Sequence, residues 1–125
     1  MNLRTLFEHR KDFQEFPAGA TVFSEGTPGD VVYVIMDGEV EVTVGNEVID
    51  VLGPGEIVGE MALIDTHKRS ATATAKSACR FAVIDEKRFL YLVQETPFFA
   101  LHVMRVLVER LRRTTQEATN RHQEA

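Results

Sequence analysis

Leu3, Leu6, Phe7 and Phe13 recur near helical spacing, which predicts a short amphipathic helix at the start of the chain. Phe16-Pro17-Ala18-Gly19 breaks that pattern. From Thr21 to Asp85 the period changes. Short β-branched runs at 21–23, 31–36, 40–44, 48–52, 57–58, 71–75 and 79–84 alternate with turn residues. Asp37-Gly38 and Gly45-Asn46 predict hairpins, because such turns need positive φ angles. Many short strands at this spacing predict a sandwich or a barrel, and spacing alone leaves both open.

After Asp85 the period becomes helical. One short helix is expected over 86–94, with Phe89, Leu90 and Val93 on one side. Thr96-Pro97 reads as an N-cap followed by proline at the first helical position. In the long helix that follows, Leu101, Met104, Val108, Leu111, Thr115 and Ala118 step by three and four residues, an a/d heptad seam. Such a seam packs either on its own domain or on a second copy. The polar tail 120–125 is expected to fray.

Composition narrows the classes. With 125 residues, 44% of them hydrophobic, the chain suits one domain with a real core. No apolar run approaches the roughly 20 residues of a membrane-spanning helix, and the first eight residues mix charge with apolar side chains too early for a signal peptide. A cytoplasmic location is the expectation. A net charge of −5 argues against a general nucleic-acid surface. Cys79 is alone, so no intrachain disulfide or cysteine-based zinc site is expected. The four histidines show no ligand spacing, and no nucleophile–base pair stands out, so neither a metal nor an enzymatic activity is assigned.

The densest chemistry lies between Gly53 and Ala73. Gly59 permits close approach of a ligand or another backbone. The next residues are long enough for one helical turn, whose free N–H groups attract an anion. Nine residues after Glu60 comes Arg69, whose guanidinium can return to the mouth of that turn and grip a phosphate with two parallel hydrogen bonds. Glu60 supplies an acceptor that suits a sugar hydroxyl. On spacing alone, an ordinary Glu60–Arg69 salt bridge is the favoured explanation of the pair.

Gly59-Glu60-Met61-Ala62-Leu63, five residues, then Arg69-Ser70-Ala71-Thr72 resembles the phosphate-binding cassette of the cyclic-nucleotide-binding domain family. That family includes bacterial catabolite activators, regulatory subunits of cyclic-AMP-dependent kinase and cyclic-nucleotide-gated channels. The likeness extends to Phe23-Ser24-Glu25-Gly26, to Gly29-Asp30 with Tyr33-Val34-Ile35, and to Ala75-Lys76-Ser77-Ala78-Cys79. It implies a mainly β fold with flanking helices: a double-stranded, jelly-roll-like β-roll over 21–85, a short N-terminal helix, and C-terminal helices over 86–118, all within a single domain of residues 1–125. It also implies a ligand, cyclic AMP, with cyclic GMP left open, and no other cofactor. Carried over by position, Glu60 accepts the ribose 2′-hydroxyl, Arg69 pairs with the cyclic phosphate, and Ser70 with the backbone near Gly59, Met61, Ala62 and Ala71 completes the cassette. Thr114 and Thr115 fall where the bacterial activators place two hydroxyls that reach adenine, one of which can come from the partner subunit of a homodimer.

Those activators continue into a DNA-binding domain, whereas this sequence stops at Ala125. The expectation is a sensor that binds no DNA itself and relays occupancy through its last helix to an unknown effector. The alternatives are a ligand-free structural dimerisation module and the sensor fragment of a transcription regulator.

Overall fold

The computed structural model describes residues 3–60 and 68–124, with side chains described through residue 113. The order is α1 (Leu3–Phe7), β1 (Gln14–Phe16), β2 (Thr21–Phe23), β3 (Val31–Asp37), β4 (Val40–Val44), β5 (Glu47–Leu52), β6 (Ile57–Val58), β7 (Thr72–Ala75), β8 (Cys79–Asp85), α2 (Glu86–Glu95) and α3 (Pro97–Glu124). Two four-stranded antiparallel sheets form, in the orders β1-β8-β3-β6 and β2-β7-β4-β5. This is the jelly-roll-like β-roll with flanking helices that the resemblance implies.

Alternation explains the second sheet. Val40 and Val42 of β4 point inward and are buried, while the alternate residues Glu41 and Thr43 are half-exposed. β3 instead reads as a continuous apolar run, and Val32 to Met36 are all buried. Tyr33, Ile35, Val40, Val42, Leu52, Val58, Ala73, Ala75 and Phe81 form the shared core. Within it Phe81 meets Phe16 at 5.5 Å and Tyr33 at 5.4 Å, both edge to face. Each such ring contributes about 1.5–3 kcal/mol by leaving water. On the other face of the first sheet, α1 lies against β3 with Leu3 and Phe7 buried.

Two local expectations change. Asp37-Gly38 is not a hairpin, although Gly38 has the expected positive φ of 93°. β3 and β4 belong to different sheets, so the turn is a corner of the roll. Gly45-Asn46 does close a hairpin, with Val44 opposite Glu47. The opening helix stops at Phe7, short of Phe13, and Gln14–Phe16 is a strand. Gln14 and Glu15 carry little strand propensity; antiparallel pairing of Gln14, Glu15 and Phe16 with Phe81, Arg80 and Cys79 holds it there.

The chain divides into two compact units, Asn2–Phe89 and Leu90–Ala125. Asp85 caps α2, its Oδ1 accepting from the Arg88 amide at 2.8 Å. Pro97 opens α3 as the sequence predicts, and the helix continues to Glu124 through the tail expected to fray. Along α3, Phe99 and Val103 are buried, while the a/d stripe of Leu101, Met104, Val108 and Leu111 is exposed.

Candidate functional site

The roll fixes Arg69 by its backbone. Its amide donates to the Thr27 carbonyl at 2.9 Å and its carbonyl accepts from the Gly26 amide at 2.8 Å, beside a bridge between Pro28 and Lys68. The loop after β2 is therefore one wall of the site, and Gly59-Glu60, just after β6, is another.

Among the described residues, Glu60 and Arg69 are the only buried charged side chains, 4% and 5% exposed. The Arg69 guanidinium folds back so that Nη1 donates to the Gly59 carbonyl at 3.0 Å. Its Cζ lies 4.2 Å from the Phe23 ring centre and 5.8 Å from that of Tyr33. Its Nε is buried and has no hydrogen-bond partner among the described residues. Nor do the ion pairs found among the described residues include Arg69. The ordinary salt-bridge explanation of Glu60 and Arg69 therefore does not hold.

The electrostatics agree. Burial pulls the Arg69 guanidinium below its ordinary pKa, and attraction to Tyr33, Asp30 and Glu60 offsets only part of that. Burial likewise pushes the Tyr33 phenol up, against the pull of Arg69. Between Asp12 and His67 the sequence holds no Lys or Arg, so Lys68 and Arg69 are the first cations the roll supplies after Lys11. A buried arginine with an orphan donor and, among the described residues, no carboxylate within ion-pair distance is costly unless an anion joins it.

Two glycines make room for it. Gly59 has φ +89°, and a Cβ there would run into Nη1 of Arg69; a Cβ on Gly29 would overlap its Nε and Cζ. Of the residues expected at the site, Gly59, Glu60 and Arg69 are thus brought together or buried side by side in the sheet scaffold. Ser70 is exposed, and Ala71 belongs to the core. Met61 and Ala62 lie outside the described residues. Thr114 and Thr115 fall on α3, with their side chains outside the described set. Sequence reasoning missed Phe23, Tyr33 and Gly29 as the surroundings of Arg69. Their only sequence signal was membership of the motifs that carry the family resemblance.

Residues 13–96 match the family model of the cyclic nucleotide-binding domain. The chain belongs to that family. It is 34% identical over 105 residues to the CRP-like cAMP-activated global transcriptional regulator of Mycobacterium tuberculosis, covering 80% of this chain and 47% of that protein. A crystal structure of the Thermus thermophilus catabolite activator protein superposes with a TM-score of 0.76 at 30% identity, over 85% of this chain and 52% of that one. A structure from a cyclic-GMP-dependent signalling pathway that regulates bacterial phytopathogenesis gives a TM-score of 0.75 at 28% identity, over 89% of this chain and 93% of that one. The chain spans about half the length of the curated relatives it matches. Among the described residues, no helix is long and apolar enough to cross a membrane, and no group of three His, Cys, Asp or Glu is placed to hold a metal ion.

Proposed function

We propose that residues 1–125 act as one sensor domain that binds cyclic AMP and relays occupancy through α3. The carrying observation is Arg69: a buried cation with an unpartnered Nε and no ion pair among the described residues. Nη1 is held by Gly59, which leaves Nε and Nη2 to grip two phosphate oxygens side by side. Glu60 takes the ribose 2′-hydroxyl. Ser70, Ala71 and the backbone of Gly59, Met61 and Ala62 complete the cassette by resemblance. Thr114 and Thr115 read the base on the same ground. A purely structural role without ligand would leave the Arg69 charge buried to no purpose.

The exposed stripe of Leu101, Met104, Val108 and Leu111 supports a homodimer through α3, since such a seam lowers its free energy by meeting a second copy. The relay then needs a ligand that binds one arrangement better than the other. The effector is a further protein. The negative net charge supports assigning no DNA contact to these 125 residues, and the proposed location is the cytoplasm. The bacterial cyclic-GMP relative supports cyclic GMP as the second reading.

Titration calorimetry with each nucleotide tests both readings. Saturable heat with cyclic AMP, exceeding that with cyclic GMP at equal concentration, is expected. Absence of heat and of thermal stabilisation with either nucleotide at millimolar concentration overturns the proposal.

A further inference from the structure

Arg69 is held through its backbone, through Nη1 and by aromatic contact, and the aromatic contact is closest at Phe23. Its backbone is pinned by Gly26 and Thr27, and Nη1 is pinned by the Gly59 carbonyl. A planar group held through one nitrogen can still turn about that bond, and turning swings Nε and Nη2 away from any bound oxyanion. The nearest contact that opposes the rotation is the Phe23 ring, whose centre lies 4.2 Å from Cζ against 5.8 Å for Tyr33. The ring is itself steadied. It stacks on Tyr33 at 6.0 Å and 24°, and Tyr33 meets Phe81, a fully buried core residue, edge-on at 5.4 Å. Gly29 and Gly59 carry no side chain, so the guanidinium can settle onto that ring.

We infer that Phe23 is a positioning residue for the anion: its ring fixes the plane of the Arg69 guanidinium so that Nε and Nη2 face the phosphate before ligand arrives. This rests on the nucleotide-binding reading of the site. Phe23 does not touch ligand in this scheme; it acts through Arg69. A cation on an aromatic face is attracted by the ring quadrupole, more strongly where water is excluded. A pre-set plane also spares the ligand the cost of ordering it.

The test uses the full chain and Phe23→Leu, which keeps an apolar side chain and removes the ring face. Cyclic nucleotide affinity should fall roughly tenfold. Phe23→Tyr, which keeps the face, should stay within about threefold of the parent. In an Arg69→Lys background, which has no guanidinium plane, Phe23→Leu should change affinity less than about twofold. A loss through general destabilisation would instead persist in that background. The arm without nucleotide is NMR of the Arg69 Nε–Hε group, whose proton should be shifted by the ring current and lose that shift in Phe23→Leu. Equal affinities for the parent and Phe23→Leu, or an Hε shift indifferent to Phe23, overturn the inference. If the parent binds neither nucleotide, the functional reading fails on its own, and the NMR arm still decides whether Phe23 orients Arg69.

Discussion

Nη1 of Arg69 donates a 3.0 Å hydrogen bond to the carbonyl of Gly59, ten residues earlier in the chain. That bond ties the segment before β7 to the turn after β6 and brings a cation back to a stretch, Asp12 to His67, that holds no Lys or Arg. It satisfies one donor only. The buried Nε remains without a partner, and burial of the charge outweighs the attraction of Tyr33, Asp30 and Glu60. The arginine is therefore kept at a cost in the ligand-free chain, as a functional group held in a strained electrostatic state.

A substitution at Arg69 should consequently act in opposite directions on stability and binding. Arg69→Met keeps apolar contact with Phe23 and removes both the buried charge and the orphan donor. Ligand-free stability is expected to rise by about 1 kcal/mol, the scale of an unmade buried hydrogen bond. Nucleotide affinity is expected to fall at least tenfold, because a charge-assisted bond of this type contributes about 1.5–3 kcal/mol. Urea unfolding with and without cyclic AMP measures both. A variant less stable than the parent without ligand would show that Arg69 is a structural cation.

Gly59→Ala should harm both properties. Its φ of +89° is strained for any side chain, and the added Cβ meets Nη1 of Arg69 and stands 3.2 Å from the Phe23 ring. Backbone strain of this kind costs about 1–3 kcal/mol. The expected result is a lower unfolding midpoint together with weaker nucleotide binding, measured by thermal denaturation and calorimetry. Gly19→Ala is the control: it has a similar φ of +87° with open space around it, so its loss should fall on stability alone.

How far the sequence announced this arrangement follows from range. β2, β4 and β6 match their expected residues because β-branched runs between turn signals are local features. Pairings such as Val34 with Ala82, or Val42 with Ala73, join residues far apart in sequence and left no local trace. The same holds for β1, which exists only through β8, and for the Asp37-Gly38 corner, which has the chemistry of a hairpin turn but joins two sheets. At the site, residue type and spacing singled out Glu60 and Arg69 but favoured a salt bridge between them, and the ligand roles came from the family resemblance. The stack of Arg69 on Phe23 was not, since Phe23 sits on a strand where an aromatic reads equally as core.

The exposed seam of α3 should govern association. Met104 and Val108 are 56% and 48% exposed, so a charge there desolvates nothing within one chain. Val108→Glu is expected to leave the unfolding midpoint of the single chain within about 0.5 kcal/mol while shifting sedimentation from dimer to monomer. Glu109→Gln, next to it on the helix but off the seam, should leave association unchanged. A parent chain that sediments as a monomer at high micromolar concentration would remove the seam from the scheme.

His102, on the same helix, should make the fold sensitive to mild acid. Burial holds its imidazole below the ordinary value of 6.5, and the nearby Arg105 cation acts in the same direction. The folded state therefore binds that proton less readily than the unfolded state. The stability from neutral His102 is present in full above pH 6.5 and is lost as pH falls from there through the folded pKa. Every other ionisable residue is common to parent and variant, so the difference between them isolates this residue. In urea unfolding at pH 7.5 and 5.5, the parent should lose more stability on acidification than His102→Gln. An equal loss, or a greater one in the variant, would mean that protonated His102 is accommodated in the folded helix and that another group controls the acid limb.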